Sequence, residues 1–251
     1  MDEAKPLPVF LTGASRGIGA ATARHFAEAG HPVALVARSD DAIARLAAEI
    51  EGAGGRAVAL AADVANEIEM ERAIEQTFSA FGGLGIVINN AGVIEPIGAV
   101  TEIDMAQWAR AIAINLIGPM AIMHYAVPLL PRGGTVINVT SGAAERAQFG
   151  RSAYCASKAG LMIASRIVAV EESERRGIRV IGFSPGLVDT EMNALNRAHR
   201  MGDAGNIDVA ELRPPTETAR ILRWLTGPEA ADYSGKIVSA RDPELRRRVG
   251  L

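Results

Sequence analysis

The chain has little of what a disulfide-stabilised, metal-binding or membrane-spanning protein needs. A single cysteine, Cys155, among 251 residues excludes an intrachain disulfide and favours a reducing compartment, so we expect a cytoplasmic protein. The four histidines are scattered without the spacing of metal ligands, so no metal is expected. No apolar run reaches the roughly 18 residues of a membrane span. The nearest, residues 116–130, is broken by prolines and a histidine and is interpreted as a buried helix.

Aromatic residues make up only 4% of the chain, and the formal net charge is only −3. So small a charge gives no reason to expect a nucleic-acid-binding surface. The acidic start, Met1–Glu3, does not resemble a signal peptide. The abundant hydrophobic residues are largely small or β-branched, which suits helices packed closely on a buried parallel sheet. A short basic cluster, Arg246–Arg248, is interpreted as a solvated tail.

What the chain does have is a regular alternation of apolar strand-like runs and helical stretches. Strands are predicted at residues 9–11, 33–37, 57–61, 86–88, 135–139, 178–183 and 236–239. Helices are predicted at residues 17–29, 39–51, 66–81, 104–130 and 152–176. Such alternation joins parallel strands through crossover helices. We therefore predict one α/β domain over residues 1–251, doubly wound and Rossmann-type, with a seven-stranded parallel sheet and helices on both faces.

Residues 187–213 interrupt this alternation with a long, polar and weakly periodic segment. Long loops in compact domains are often lids, so we predict a mobile segment on the substrate side. It contains His199, Met192 and Met201, which are candidate substrate contacts because methionine lines adaptable apolar pockets.

A glycine-rich turn, Thr12–Gly19, lies between the first strand and the first helix. Glycines there let the backbone approach a pyrophosphate, and the helix N-terminus offers free N–H groups. A tight turn without a ligand is the alternative, because Ser15 stands where the common G-x-G-x-x-G pattern has its middle glycine. The position between a strand and a helix favours a dinucleotide site.

The end of the second strand indicates which dinucleotide. NAD sites usually carry an acidic residue there, which holds the ribose 2′-OH, but this strand ends Ala37-Arg38-Ser39. Arg38 offers a planar fork for a 2′-phosphate, and Arg16 in the glycine turn adds a second positive charge. We therefore predict NADP(H) in preference to NAD(H). Two solvated arginines, the alternative, would leave the missing acid unexplained.

Tyr154 and Lys158 are four residues apart on a predicted helix and so share one face. A free phenol has a pKa of about 10, too high for proton exchange near neutrality. A nearby ammonium stabilises the phenolate and lowers that pKa. On its own, such a pair is more often a surface feature than a site.

Taken together, these motifs resemble the short-chain dehydrogenase/reductase family, in its NADP-preferring form, over nearly the whole chain. The matching positions, in chain order, are Thr12, Gly13, Gly17, Gly19, Asp63, Asn89, Asn90, Ala91, Gly92, Asn115, Ser141, Tyr154, Lys158, Pro185, Gly186 and Thr190. Each motif is common alone, but the ordered set on the predicted elements is specific.

The resemblance implies a role for each residue. Tyr154 exchanges the proton, Ser141 orients the carbonyl, and Lys158 lowers the tyrosine pKa and holds the nicotinamide ribose. Asn115 positions a water that links Lys158 to solvent, with a plain helix kink as the alternative, and Asn90 ties neighbouring strands together. The expected cofactor-binding residues are Gly13, Ser15, Arg16, Gly17, Ile18, Gly19, Arg38, Asp63, Val64, Asn90, Ala91, Gly92, Tyr154, Lys158, Pro185, Gly186, Val188 and Thr190.

The resemblance narrows the substrate less than the reaction. Residues 185–192 are similar to the sepiapterin- and diketone-reducing branch, which implies a ketone, diketone or pterin-like carbonyl. A 3-ketoacyl thioester reductase is the alternative, although the glycine-rich end typical of those enzymes is absent. A non-catalytic NADPH-binding sensor or scaffold would have lost the catalytic residues, and all are present. Family members commonly pair the helices at 104–130 and 152–176, so we expect a homodimer or homotetramer.

Overall fold

The computed structural model describes residues 6–199 and 208–251, which contain one seven-stranded sheet. The strands are β1 (Val9–Thr12), β2 (Val33–Ala37), β3 (Ala57–Ala61), β4 (Ile86–Asn89), β5 (Thr135–Val139), β6 (Arg179–Ser184) and β7 (Ile237–Ser239). Their order is β3-β2-β1-β4-β5-β6-β7, and every neighbouring pair is parallel. Each predicted strand falls on an observed one, and the predicted Rossmann-type fold is confirmed.

The sheet has a topological switch point between β1 and β4. The first three strands run outward from β1 to β3, and the next four run the other way, from β4 to β7. The carboxyl ends of β1 and β4 therefore border the crevice in which ligands bind in sheets of this kind.

Helices cover both faces of the sheet. They are α1 (Gly17–Glu28), α2 (Asp40–Gly52), α3 (Glu67–Phe81), α4 (Met105–Ile112), α5 (Gly118–Ala126), α6 (Ser152–Arg176), α7 (Glu191–His199), α8 (Pro215–Thr226) and α9 (Pro243–Val249). One apolar core joins α1, α2, α8 and α9 to the sheet, and a second joins α3, α5 and α6 to the opposite face. Val9 and Leu11 belong to the first core and Phe10 to the second, because successive strand residues point to opposite faces.

The helix predicted over residues 104–130 is not regular along its length. A π-helical turn, Ala113–Ile117, joins α4 to α5, and the N–H of Gly118 bonds to the carbonyl of Ala113, five residues back. Asn115 lies in this turn and is completely buried. Single π-turns inside helices are frequent at functional sites.

Two helical stretches, Met105–Leu129 and Ser152–Arg176, are long and apolar enough to cross a membrane by length and composition. Their most apolar windows are 44% and 50% buried within the fold. Core helices of globular proteins pass the same test, so this finding alone is weak evidence for a membrane span.

Three helices in the C-terminal part were not predicted from the sequence. α7 lies within the segment at 187–213, α8 is the crossover between β6 and β7, and α9 ends the chain. Apolar positions of α8, such as Ile221 and Leu222, are completely buried against the first core. The parallel pairing of β6 with β7 depends on this crossover.

The prediction of a solvated basic tail is wrong for two of its three arginines, because α9 packs on the fold. Arg246 is largely buried, and its Nη1 lies 2.5 Å from Oε1 of Glu217. The guanidinium of Arg248 lies over the ring of Trp224, 4.9 Å from its centroid, and pairs with Asp232. These contacts attach the chain end to α8 rather than leaving it in solvent.

Candidate active site

The glycine turn after β1 brings backbone segments too close together for side chains. Gly13 has a φ of +66°, and a Cβ there would lie 2.9 Å from the Cα of Ala91. A Cβ on Gly19 would lie 2.0 Å from the carbonyl oxygen of Gly13. The turn therefore leaves bare backbone and the first N–H groups of α1 at the carboxyl end of β1, which forms a cradle suited to a phosphate.

Asn90 holds this turn against the end of β4. Its Nδ2 donates to the carbonyl oxygens of Thr12 and Gly13, at 3.0 and 3.2 Å. In return, Oγ1 of Thr12 accepts hydrogen bonds from the N–H groups of Asn90 and Ala91, both at 3.1 Å. Asn90 thus has the strand-tying role that was expected for it.

A cavity of about 810 Å³ extends from the glycine turn to Tyr154. Most of the residues predicted to bind a cofactor line it. They are Gly13, Ser15, Arg16, Gly17, Ile18, Arg38, Asp63, Val64, Asn90, Ala91, Gly92, Tyr154, Lys158, Pro185 and Thr190. Gly186 and Val188 line a second, adjoining cavity instead, and Gly19 packs beneath the turn.

Arg38 and Asp63 lie at the end of the first cavity formed by β2 and β3. Burial raises the pKa of Asp63, but hydrogen bonds from the Ala65 N–H, at 3.0 Å, and from Arg110 outweigh it. The charge of Arg38 lowers the pKa further, so the net pKa is below its ordinary value. Asp63 is therefore an ionised carboxylate that Arg110 anchors. Within residues 6–199 and 208–251, no carboxylate forms a salt bridge with Arg38 itself.

Arg16 pairs with Glu191 across the mouth of the first cavity. Both side chains are highly exposed, at 70% and 69%, so solvent screens the pair and its contribution to stability is small. The pair links the glycine turn to α7, within the segment predicted to be mobile.

Tyr154 lies on the first turn of α6 and is partly buried. Burial raises the pKa of its phenol, whereas the nearby Ser141 hydroxyl and the charge of Arg151 lower it. The net pKa is above its ordinary value, so the protein alone favours the neutral phenol. Lys158 is not among these causes, and its lowering of this pKa stays a prediction.

Lys158 lies one turn farther along α6, with only 3% of its surface exposed. Its Nζ donates a hydrogen bond to the carbonyl oxygen of Val139 at 2.8 Å, at the end of β5. Burial lowers the pKa of Lys158 to about 8. The ammonium is thus charged at neutral pH but close to its titration range, which suits a group that passes a proton.

Asn115 is held by protein groups on every side of its amide. Its Oδ1 accepts from the N–H of Val93 at 2.9 Å, and its Nδ2 donates to the Val93 carbonyl at 2.8 Å and to Ser157 Oγ at 3.1 Å. A Cβ on Gly92 would lie 3.2 Å from Asn115 Oδ1 and 3.5 Å from Lys158 Nζ. The bare glycine therefore keeps a small polar gap open between Asn115 and Lys158.

The second cavity, of about 590 Å³, adjoins the first, and Tyr154 lines both. Ser141 lines the second cavity from the end of β5, together with Gly186 and Val188 after β6. Met192, on α7, also contributes to both cavities. A ligand in the long cavity and a smaller one in the second would meet at the phenol.

Sequence reasoning missed Arg151 in this site. It immediately precedes α6, is 1% exposed and lines the second cavity. Its Nη1 donates to Oδ1 of Asn196, on α7. The position three residues before Tyr154 was the available signal, but an arginine there has no special pattern until its burial is known.

The three candidate substrate contacts in the 187–213 segment differ in where they lie. Met192 lines the junction of the cavities, whereas His199 is exposed and hydrogen-bonds its own helix at Leu195, away from both cavities. Met201 lies outside the described residues. In the part of the chain that the structure describes, no group of three or more His, Cys, Asp or Glu side chains could hold a metal ion.

Comparison with known proteins agrees with this geometry. A family model described as short chain dehydrogenase matches residues 8–201. The chain belongs to the short-chain dehydrogenase family. It is accordingly a member of an oxidoreductase family that binds a nicotinamide cofactor and acts on the alcohol or carbonyl groups of small molecules.

Individual relatives cover almost all of this short-chain dehydrogenase. A cis-4-hydroxycyclohexanecarboxylate dehydrogenase of Sinomonas cyclohexanicum is 34% identical over 234 residues, 91% of this chain and 92% of that protein. A 3-oxoacyl-(acyl-carrier-protein) reductase of Synechocystis sp. is 34% identical over 230 residues, 90% and 92% of the two chains. The crystal structure of a short chain dehydrogenase from Burkholderia cenocepacia in complex with NADP has a TM-score of 0.83 and 29% identity, covering 94% and 96%.

Proposed function

We propose that this short-chain dehydrogenase transfers a hydride between NADP(H) and the carbonyl or secondary alcohol group of a small ketone, with Tyr154 as proton donor and acceptor. The observation that carries the proposal is the place of Tyr154, which lines both cavities where they adjoin, with Ser141 lining the second. The long cavity suits a dinucleotide, and the smaller one suits a substrate of modest size.

The residues around the first cavity fit NADP(H). The cradle at Gly13 and Gly19 admits no side chain, which suits a pyrophosphate approaching the start of α1. Arg38 stands where NAD sites carry an acid, and its fork would pair with a 2′-phosphate, assisted by Arg16. The relative from Burkholderia cenocepacia, which is in complex with NADP, supports the same choice. When bound, the nicotinamide supplies or takes up the hydride.

At the other end of this cavity, Thr190 and the backbone around Val188 would hold the nicotinamide carboxamide. Oγ1 of Thr190 already interacts with the Val188 carbonyl at 3.3 Å, which fixes the loop after β6. Pro185 and Gly186 begin this loop, and Gly186 has a φ of +73°, so the chain turns sharply toward the site.

Tyr154 moves the proton in the proposed reaction. In reduction, the neutral phenol donates to the carbonyl oxygen while hydride reaches the carbonyl carbon, and Ser141 orients that oxygen through a hydrogen bond. In oxidation the phenolate accepts the proton of the alcohol. Because burial raises the phenol pKa in the protein alone, the phenol is protonated at neutral pH, as the reductive direction requires.

Lys158 would hold the nicotinamide ribose and return a proton to Tyr154. With its pKa lowered to about 8 by burial, the ammonium gives up a proton near neutrality more readily than a solvated lysine. The polar gap beside Gly92 and Asn115 would lead from Lys158 toward solvent through water.

A 3-oxoacyl thioester reductase is the second candidate, favoured by the Synechocystis relative. The Sinomonas relative instead favours a cyclic secondary alcohol or ketone, and β7 is followed by α9 rather than by a glycine-rich stretch. A non-catalytic cofactor-binding protein is the third candidate, and the presence of Tyr154, Lys158 and Ser141 together argues against it.

The experiment follows NADPH absorbance as the purified protein meets a panel of neutral cyclic ketones, diketones and ketoacyl thioesters, with NADH in parallel. We expect oxidation of NADPH with the ketones and recovery of the matching alcohols. Turnover confined to thioesters would favour the second candidate. NADPH binding without turnover of any compound would favour the third.

We further propose that the protein assembles as a homodimer or homotetramer in the cytoplasm. On α6, Ile163, Ile167 and Val170 lie along one face and are 53%, 49% and 80% exposed, and Ile117 and Met120 are exposed near α5. A second copy of the chain would cover this apolar surface. Light scattering after size exclusion would detect the resulting oligomer.

The single domain over 1–251 and the mobility of residues 187–213 also remain predictions.

A further inference from the structure

Arg151 places a buried positive charge in the wall of the second cavity. The side chain is 1% exposed and lines the cavity, and its Nη1 donates to Asn196. Its Nε and Nη2 have no hydrogen-bond partner among the residues that the structure describes. A buried guanidinium with two unpaired donors is costly, and an anion that binds it removes that cost.

The two unpaired nitrogen atoms form the edge of the guanidinium that recognises carboxylates. This chain already uses that edge elsewhere: Nε and Nη2 of Arg24 bind the two carboxylate oxygens of Glu49 at 2.6 and 2.8 Å. Two parallel N–H···O bonds of this kind are the preferred geometry between arginine and a carboxylate. In Arg151 the same edge is buried without an acid to pair with among the described residues, in a residue that lines the second cavity.

The charged residues around the second cavity also favour an anionic ligand. Three arginines line it, Arg146, Arg151 and Arg241, against a single acidic residue, Glu211. A cavity lined mainly by one sign of charge concentrates ligands of the opposite sign. A neutral ketone would use none of this charge, whereas an anionic one would.

We propose that the substrate of this dehydrogenase carries a carboxylate, which Arg151 binds through both oxygens while Tyr154 acts on the carbonyl or alcohol group. The substrates are therefore keto acids and hydroxy acids, and this inference rests on the proposed function. Because Arg151 and Tyr154 are three residues apart at the start of α6, both groups would reach one compact molecule. The carboxylate does not react: hydride adds to the carbonyl carbon of the keto acid, and the Tyr154 proton adds to its oxygen.

The test compares 4-oxocyclohexanecarboxylate with its methyl ester, which has the same ring and carbonyl but no charge. In the wild type, kcat/KM should be at least about tenfold higher for the acid. Arg151→Gln should lower kcat/KM about 100-fold for the acid and less than about threefold for the ester. Arg151→Lys should retain part of the preference, since it keeps the charge and loses the fork. Arg72→Gln, at an exposed arginine on α3, is the matched control and should change neither substrate.

An equal loss for acid and ester in Arg151→Gln would overturn the inference, because it would show an effect on Tyr154 or on folding. Wild-type turnover of the ester without preference for the acid would also overturn it and leave the proposed function intact. Turnover of neither compound, with NADPH bound, would overturn the inference, whereas the proposed function fails only if no compound of the whole panel is turned over.

A measurement on the wild type alone keeps the inference testable if Arg151→Gln does not fold. Cyclohexanecarboxylate should compete with the ester at a concentration at least about tenfold lower than cyclohexanecarboxamide does. Equal inhibition by the two compounds would contradict a carboxylate site.

Discussion

The ammonium of Lys158 donates a hydrogen bond to the backbone carbonyl of Val139 at 2.8 Å, in a place where only 3% of the lysine is exposed. This bond joins α6 to the carboxyl end of β5 and fixes the lysine one turn from Tyr154. The fold therefore sets the position of the lysine that is proposed to act on the tyrosine.

The burial of Lys158 predicts how stability depends on pH. Its folded pKa of about 8 lies below the ordinary 10.5, so the unfolded chain binds more protons between these values. The cost of burying the ammonium is fully present below about pH 8 and is lost as the pH rises toward about 10.5.

The Lys158→Met variant has no ammonium at this position, so its unfolding free energy should not gain from this rise in pH. Between about pH 7 and pH 9.5, the difference in unfolding free energy should move in favour of the wild type by about 2 kcal/mol. Urea denaturation of both proteins at the two pH values measures it. The same difference at both values would mean that the lysine pKa is not lowered in the folded state.

Arg38→Asp tests the choice of cofactor. The new carboxylate would repel a 2′-phosphate and accept a hydrogen bond from a ribose 2′-OH. The Kd of NADPH should rise about 100-fold, while that of NADH should stay level or fall. Arg45→Asp, with the same charge change at an exposed site on α2, is the control. Unchanged NADPH binding in Arg38→Asp would show that Arg38 does not contact the phosphate.

Gly19→Ala tests the cradle. The added Cβ would lie 2.0 Å from the carbonyl oxygen of Gly13, so the glycine turn must shift. We expect a loss of about 1–3 kcal/mol in stability and a marked loss of NADPH affinity. Gly52→Ala, at the end of α2 with nothing within 4 Å of the new Cβ, should instead be neutral or stabilising by up to about 1 kcal/mol. Thermal unfolding with and without NADPH compares them, and equal behaviour of the two variants would argue against the close approach.

Much of the fold could be predicted because its strands are continuous apolar runs between glycine turns. Val33–Ala37, for example, is buried on both faces and could form only a strand in the middle of a sheet. The helices after β6 could not be predicted as well, because α9 is short and basic and is stabilised by Glu217, which is distant in the sequence.

Some residues of the site could likewise be predicted from the sequence, and others could not. The glycine turn and the Tyr154–Lys158 pair could be recognised locally, because their spacing alone puts them on one turn or one helix face. Arg151 could not, since its burial and its bond to Asn196 of α7 arise only in the packed fold. The raised pKa of Tyr154 could not be predicted either, because it is caused by burial, which is a property of the packed fold.

Gly92→Ala tests the proton path. The methyl group would lie 3.5 Å from Nζ of Lys158 and 3.2 Å from Oδ1 of Asn115, and so would fill the gap between them. We expect kcat to fall about tenfold with a small change in thermal stability, because the change blocks water rather than packing. A larger solvent isotope effect on kcat would support a slowed proton transfer. An unchanged kcat would show that protons reach Lys158 by another route.

Tyr154→Phe tests the central claim most directly, through kcat/KM for NADPH-dependent reduction of a cyclic ketone. Tyr125→Phe is the matched control, because its hydroxyl donates to the exposed Glu67 at 2.9 Å and Tyr125 is not among the lining residues of either cavity. The proposed mechanism predicts a fall of about 1000-fold in Tyr154→Phe, with the Kd of NADPH within about threefold of the wild type. Retention of a tenth or more of the wild-type kcat/KM would contradict proton transfer by Tyr154.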